Sequence, residues 1–522
     1  MSRNLPVQPN LEHLKKEAKA LLRAHRQGDN ETVAVFSEAA GTDKPKLADA
    51  QFLIARRYGF ENWGELKRDV ELVNAEFAKR ADAMTSAACA GRLTEVRKLL
   101  DAEPALATAN IFAAAVVGNH QYLENALSQD ETLVHKKGGP DNLEPILYAC
   151  FSGCLRDERY AAAIVRSVDC LLNHGADANS YFLEGDDPNH RQTVLYAAAG
   201  IANNAALTKL LIDHGADPND GPAGFGETVY HSAEFSDLEC LRLVLEAKPR
   251  PDTVSYCLAR KLDFEDISGA RLFLEHGADP NFLFKHGHKG TRLHHAILRH
   301  RSPEIIRLLL AYGADWRIRN GDGITAFAYS VRLGNQSAAQ VLREAGAREE
   351  DLTEADKLIG AMSNGDEGTV RSILTANPGI TSTLTREEMA VLPEAAHAGN
   401  LPAVRLMLEA GFDAGVTGID GMTALHWAAW SGHLDVVDEL LRHGAKLEAL
   451  NHYGGTVLYS TIYAAINGGQ KVDHIPVIRR LLEAGAQIQT GPDGTPVKTG
   501  NGGIDALLGS WSSSRNSRSD LQ

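Results

Sequence analysis

A recurring sequence motif constrains the fold more than any other feature of the chain. In each copy, a leucine-rich helical segment ends in Gly-Ala-Asp. The four clearest copies occupy residues 171–177, 210–217, 273–279 and 309–315, and degenerate copies end at Gly346, Gly411, Gly444 and Gly485. Most neighbouring glycines are 33 to 41 residues apart, and two longer gaps of 62 and 65 residues are close to double that spacing. Each long gap is predicted to hide a copy whose glycine is replaced, near Lys248 and near Asn377. A period in this range predicts supersecondary units stacked in single file, a solenoid.

The clearest whole unit, residues 420–450, reads DGMTALHWAAWSGHLDVVDELLRHGAKLEAL. Thr423 is placed to cap a first helix, and Gly432 is placed to break it in a left-handed turn. A second helix is indicated by apolar residues at helical spacing. These are Leu434, Val436, Val437, Leu440 and Leu441. Gly444 then ends the second helix, and the following segment must turn back as a loop or hairpin.

This unit resembles the ankyrin repeat. The opening Thr-x-Leu-His occurs at Thr291 and Thr423, and Gly-His at Gly432 and the closing Gly-Ala at Gly444 follow within one period. The resemblance implies an all-α solenoid of helix-turn-helix pairs with loop or hairpin fingers. We expect residues 79–500 to hold about twelve or thirteen units, several of them degenerate.

Residues 1–78 do not follow the repeat, and amphipathic patterning predicts four helices there. The segments LPVQPNLEHLKKEAKALL and LADAQFLIARRYGFENWGELK resemble a helical leader that precedes ankyrin arrays in some bacterial proteins. We expect this module to cap the array. The alternative is that its basic first helix docks an acidic partner or a membrane surface. Residues 501–522 are expected to form a partial cap followed by a disordered tail.

Composition narrows the class of protein. The chain is 44% hydrophobic and contains no apolar run near the roughly 18–20 residues that a spanning helix needs. The polar start lacks the apolar stretch of a signal peptide, so we expect a cytoplasmic protein. Six cysteines form no Cys-x-x-Cys pair, which indicates reduced thiols and neither a metal site nor a cofactor. A net charge of −15 argues against nucleic acid as a partner.

The resemblance implies that loop tips and first helices contact another protein along a concave face. Large apolar and arginine side chains in the loops are therefore the candidate contacts, because such residues dominate interface energies. They are Tyr181, Phe182, Phe225, Phe282, Phe284, Trp316, Arg317 and Arg319. Trp430, on a first helix, is a separate candidate. The alternative is that these residues pack against adjacent loops.

Three functions remain open at this stage. We expect a monomeric, non-catalytic scaffold that binds another protein, since no phosphate-binding loop, His-Glu-x-x-His motif or nucleophile elbow is present. The alternative is a ligand-binding or catalytic protein whose pocket is built from the long loops of residues 180–320. Acidic and imidazole groups gather there at Glu184, Asp186, Asp187, His190, Glu227, Glu234 and His286. The third function is a platform anchored by the basic N-terminal helices.

Overall fold

The computed structural model of the chain describes residues 11–40, 44–73, 77–185, 187, 190–221, 226–284, 290–468, 472–491 and 495–519. Its chain contacts divide into two compact units, Met1–Cys257 and Leu258–Gln522. Helices dominate both units, as the repeat pattern predicts. None of the helices in the described ranges combines the length and the apolarity that crossing a bilayer requires.

The first unit contains fourteen α-helices and one short hairpin among its described residues, and a further helix, α15, includes the division between the units. The elements are α1 Leu11–Arg26, α2 Asn30–Ala40, α3 Leu47–Arg57, α4 Trp63–Val73, α5 Phe77–Cys89, α6 Leu93–Ala102, α7 Ile111–Val117, α8 His120–Gln129, α9 Pro145–Cys150, α10 Glu158–Asn173, β1 Tyr181–Leu183, β2 Arg191–Thr193, α11 Val194–Tyr196, α12 Ala205–Asp213, α13 Glu227–Ser232, α14 Glu239–Glu246 and α15 Pro251–Asp263. Successive first helices contact each other, as α7 and α9 do, and so do successive second helices, as α8 and α10 do.

The second unit repeats this arrangement with helices alone in its described residues. The elements are α16 Ile267–Glu275, α17 Arg292–Leu298, α18 Pro303–Ala311, α19 Ala326–Arg332, α20 Gln336–Glu344, α21 Glu354–Ser363, α22 Glu367–Ala376, α23 Ile380–Thr383, α24 Arg386–Met389, α25 Val391–His397, α26 Leu401–Glu409, α27 Ala424–Trp430, α28 Leu434–Arg442, α29 Val457–Asn467, α30 Ile475–Ala484 and α31 Gly502–Ser519. First helices α25, α27 and α29 pack side by side, and second helices α26, α28 and α30 form a neighbouring layer.

The Thr-x-Leu-His opening forms a capped helix start that also joins neighbouring repeats. In α27 the Thr423 hydroxyl accepts the backbone N–H of His426, and the backbone N–H of Thr423 donates to Nδ1 of His426 at 3.3 Å. Nε2 of His426 then contacts the carbonyl of Gly455, one repeat further on, at 3.3 Å. Because a carbonyl only accepts, the imidazole donates there and is the neutral Nε2–H tautomer. The same geometry holds in α17, where His294 reaches the carbonyl of Ile324 at 3.0 Å.

The glycine that closes each second helix has left-handed backbone, as predicted. Gly175, Gly277 and Gly444 have φ angles of 96°, 87° and 77°. Lys248, in the copy where the glycine is replaced, keeps this conformation with a φ of 58°. In the other eroded copy Asn377 has a φ of −139°, so that helix ends in extended backbone instead.

Apolar side chains packed into cores stabilise the described chain. Residues of α1, α3 and α4 share one core, which includes Leu14, Ile54 and Leu66. A second core runs through the repeats of the first unit, and a third runs from α21 to α31. Ile504 and Leu508 are buried in the third core, and α31 continues to Ser519, through the segment for which the sequence predicts disorder.

Candidate functional site

A row of aromatic side chains crosses three consecutive first helices of the second unit. The Trp427 ring lies 4.6 Å from that of His397 and 6.4 Å from that of Trp430, between ring centroids. Trp430 stacks on Tyr463 of the next repeat, with centroids 5.9 Å apart. Tyr463 is 59% exposed, and the two tryptophans are half-buried. We call these four residues the aromatic row. They form a surface of the residue types that dominate protein interfaces.

A cleft of about 530 Å³ lies in the same unit, where α19, α24 and α25 meet the turn at residues 417–420. Its charged lining side chains are Asp322, Arg332, Arg386, Glu387, Glu394 and Asp420. A smaller cavity of about 250 Å³ shares Arg332 and Glu394 with the cleft and also includes His397. The cleft therefore leads to the aromatic row.

Arg332 forms one wall of the cleft and is only 5% exposed. Its guanidinium pairs with the carboxylate of Asp356, and its Nη2 lies 3.0 Å from a carboxylate oxygen of Glu388. Nη1 is buried and has no hydrogen-bond partner among the described residues. Since a buried donor without a partner is costly, Nη1 is available to a carbonyl or carboxylate oxygen that enters the cleft.

Glu394 provides a partly buried negative charge in the lining of the cleft. Burial raises the pKa of this carboxyl above its usual value, and the charge of Arg299 opposes that rise. No hydrogen bond or ion pair reaches the Glu394 carboxylate within the part of the chain that the structure describes. Arg332, the nearest buried cation in the lining, is already paired with two other carboxylates. The cleft is therefore acidic.

Two of the predicted contact residues lie in the hairpin of the first unit. Tyr181 and Phe182 are on β1, which pairs with β2 in antiparallel register. Tyr181 is 44% exposed, and the guanidinium of Arg191 lies 4.8 Å from its ring centroid. Phe182 instead packs edge-on against Phe151 at 4.9 Å. Tyr181 therefore lies on the exposed side of the hairpin, and Phe182 packs the hairpin against the preceding repeat.

The predicted aromatic contacts of the second unit are mostly engaged in packing. Phe282 and Phe284 lie 5.1 and 3.8 Å from the guanidinium of the fully buried Arg292. Trp316 is 5% exposed and packs edge-on against Phe327 at 6.3 Å. These three side chains therefore contact other residues of this chain.

The remaining predicted contacts differ in their surroundings. Arg317 and Arg319 are exposed, and the Arg317 guanidinium lies 4.4 Å from the Trp316 ring. Arg319 donates from Nη1 to the carbonyl of Gly323 at 2.6 Å. Phe225 lies outside the described residues. Trp430 lies at the centre of the aromatic row.

Two of the acidic groups predicted for the long loops, Glu227 and Glu234, lie on either side of His231 in the first unit. Nε2 of His231 lies 3.1 Å from Glu227, and Nδ1 lies 3.0 Å from Glu234. Both ring nitrogens thus face carboxylates. Glu184 accepts a hydrogen bond from Gln192 at 3.1 Å, and Asp186 and His286 lie outside the described residues.

Sequence reasoning missed Tyr463, Arg332 and Glu394. A signal for the aromatic row exists, because His397, Trp430 and Tyr463 are spaced by the repeat period of 33 residues. Aligning the units on Thr423 and Thr456 would have brought Trp430 and Tyr463 to one repeat position. Arg332 and Glu394 have no such signal, since their role depends on tertiary packing.

Stacked helical hairpins with capped first helices and a surface of first-helix side chains define a tandem-repeat binding protein. A family model described as ankyrin repeats in three copies matches residues 358–451 and 394–491. A single-repeat model, described as an ankyrin repeat, matches residues 190–221 and 290–321. The chain contains ankyrin repeats in the regions that these models match.

The chain is also similar to several known proteins. The B-cell lymphoma 3 protein homolog of Mus musculus is 30% identical over 177 residues, which cover 32% of this chain and 38% of the relative. Ankyrin repeat and SOCS box protein 6 of Homo sapiens is 31% identical over 190 residues, 34% of this chain and 37% of that protein. E3 ubiquitin-protein ligase KEG of Arabidopsis thaliana is 22% identical over 421 residues, 80% of this chain and 22% of the ligase. Each match spans less than two fifths of the relative's length.

Proposed function

We propose that this protein is a non-catalytic scaffold that binds another protein across the first helices of its second unit. The aromatic row carries the proposal. Exposed aromatic side chains on successive repeats give a continuous contact surface, and Trp and Tyr are enriched among residues that dominate binding energy. The packing role of Phe282, Phe284 and Trp316 moves the proposed surface away from the fingers and onto Trp430 and Tyr463.

The partner segment that fits this surface is basic. Asp322, Glu387, Glu394 and Asp420 line the cleft, against Arg332 and Arg386. Because Arg332 is paired with Asp356 and Glu388, the uncompensated charge of the cleft is negative. A lysine or arginine side chain reaching Glu394 gains a charge-assisted contact in a partly desolvated place. The net charge of −15 on the whole chain favours the approach of such a partner.

The rest of the chain supports this surface. We propose that residues 1–78 cap the array, because α1, α3 and α4 bury their own apolar core and cover the end of a stack of repeats. The six cysteines, all of them among the described residues, form no disulfide, which supports a cytoplasmic location, where thiols stay reduced. We expect the protein to act as a monomer.

Site-specific photo-crosslinking tests the proposed surface. A photoreactive phenylalanine analogue replaces Tyr463 in one variant and Tyr312 in a matched control, because Tyr312 is also exposed but ends a second helix. We expect a discrete adduct with one protein from position 463 and none from position 312. The affinity of that protein, purified, should fall at least ten-fold with Trp430→Ala. Identical adducts from both positions, or an unchanged affinity of Trp430→Ala, would reject the surface.

A further inference from the structure

Two neighbouring second helices of the first unit bring three metal-ligand side chains together. Glu124 lies on α8, Cys170 lies on α10, and His174 directly follows α10. Oε2 of Glu124 lies 3.3 Å from Sγ of Cys170 and 3.4 Å from Nε2 of His174. All three ligand atoms lie within 4.8 Å of one another, and no other group of this kind occurs among the described residues.

Two of the three distances match the coordination shell of a zinc ion. Tetrahedral zinc holds a thiolate at about 2.3 Å and imidazole nitrogen or carboxylate oxygen at about 2.0–2.2 Å, so its ligand atoms are roughly 3.3–3.6 Å apart. Two of the three pairs already have that spacing. The third pair, Sγ of Cys170 and Nε2 of His174, lies within 4.8 Å.

The helices explain why the ligands converge. Cys170 and His174 are four residues apart, so they lie one turn apart on one face of α10. In the copies that end at Gly215 and Gly277, the residues four positions before His214 and His276 are Leu210 and Leu272. Cys170 thus occupies a position where two later copies carry leucine, and its thiol contacts a carboxylate of the preceding repeat.

We propose that Glu124, Cys170 and His174 bind a zinc ion between these two repeats, with the fourth coordination position open to water or to a group of a ligand. Thiolate, imidazole and carboxylate are the donor set that zinc prefers over magnesium or calcium. The ion cross-links α8 to α10 and stabilises the folded first unit by mass action. The site is independent of the proposed partner-binding surface.

Its sequence signature is weak because the ligands are not contiguous. Cys170 and Glu124 are 46 positions apart, so the absence of Cys-x-x-Cys pairs carries no information about this site. Zinc binds the thiolate form of cysteine, so binding releases the Cys170 proton and the affinity falls as pH is lowered.

Cobalt substitution tests the site in the full chain, because a cobalt–thiolate bond gives a charge-transfer absorption band that carboxylates and imidazoles alone do not. We expect one equivalent of Co²⁺ to produce this band in the unaltered chain. The substitution Cys170→Ser should abolish the band, and added Zn²⁺ should remove it by displacing Co²⁺. Cys240→Ser is the matched control, because Cys240 is equally buried but contacts the hydroxyl of Thr208. This control should keep the band.

A zinc competition titration measures how much the other two ligands, Glu124 and His174, contribute to zinc affinity. Glu124→Gln and His174→Gln should each weaken Zn²⁺ binding at least ten-fold and should remove the rise in melting temperature that Zn²⁺ gives the unaltered protein. Glu124 is exposed, so its variant folds even if Cys170→Ser does not. A wild-type chain without the cobalt band, a band that survives Cys170→Ser, or unchanged zinc affinity in Glu124→Gln would overturn the proposal.

Discussion

The side chain of Asn281 joins its own finger to Asp315 in the next repeat. Its Oδ1 accepts the backbone N–H of Asp315 at 2.8 Å, and its Nδ2 donates to the carbonyl of Gly313, also at 2.8 Å. Asn179 makes the same pair of bonds to Asp217 and Gly215 in the first unit. One amide thus satisfies both a donor and an acceptor of the neighbouring turn. These asparagines connect repeats at positions that the sequence pattern did not single out.

Replacing Asn281 should destabilise the second unit. Asn281→Ala removes both bonds and leaves the Gly313 carbonyl and the Asp315 N–H to partial solvation, which should cost about 1–2 kcal/mol of unfolding free energy. Urea denaturation measures the loss. Asn467→Ala is the control, because its amide bonds only to its own helix. Equal effects of the two substitutions would contradict the inter-repeat role.

Lys248 offers a stabilising substitution. Its φ of 58° is left-handed, where a side chain is strained, and its backbone closes α14 as Gly175 closes α10. Lys248→Gly should therefore raise the unfolding free energy by about 1 kcal/mol. Lys248→Ala keeps the strain and should bring no gain. If both variants gained equally, loss of the lysine charge rather than backbone relief would be the cause.

Asp220 should make stability depend on pH. Burial raises the pKa of this carboxyl from 3.8 to about 6, with Glu227 adding to the rise and the Thr228 donors opposing it. The folded state thus holds a proton that the unfolded state releases, so this group costs stability as pH rises from about 4 to 6. The cost is absent below the unfolded pKa and complete above the folded one. It amounts to roughly 2–3 kcal/mol.

Asp220→Asn tests this dependence. The amide oxygen keeps the acceptor for the Thr228 backbone N–H, which lies 3.0 Å from the carboxylate, and it carries no charge. The variant should gain stability relative to the unaltered chain as pH rises from 4 to about 6, measured by urea denaturation at each pH. A stability difference that stays constant with pH would rule out titration of Asp220 in this window.

Glu394→Gln separates binding from folding. Because burial raises the pKa of Glu394, the charged form costs folding energy, and the neutral variant should be at least as stable as the unaltered chain. Its affinity for a basic partner should nevertheless fall about ten-fold, since the charge that faces the partner is gone. Calorimetric titration with the purified partner gives the affinity. A variant that binds equally well would show that Glu394 does not contact the partner.

Local sequence patterns predicted the repeat, because the residues that cap a helix or end it lie within a few positions of the helix terminus. A left-handed glycine is required where Gly444 closes its helix, and the Thr423–His426 pair caps the helix it begins. His294 and His426 also form hydrogen bonds to the neighbouring fingers. These contacts recur along the chain because each unit has a similar backbone conformation.

The exposed surface could not be predicted in the same way. Phe284 looks like a contact residue in sequence, yet it stacks on Arg292, a cation whose complete burial no local rule indicates. Trp316 is likewise covered by Phe327 of the next helix. Which side of a finger faces solvent depends on residues of the following first helix, such as Arg292 and Phe327, and only the folded structure shows how they pack.

Hydrogen–deuterium exchange with the partner bound tests the central claim, that another protein is held across the first helices of the second unit. Backbone amides of α25, α27 and α29 should exchange more slowly in the complex, while those of α26, α28 and α30 should be unchanged. Protection confined to the second helices, or to the hairpin at Tyr181, would contradict the claim.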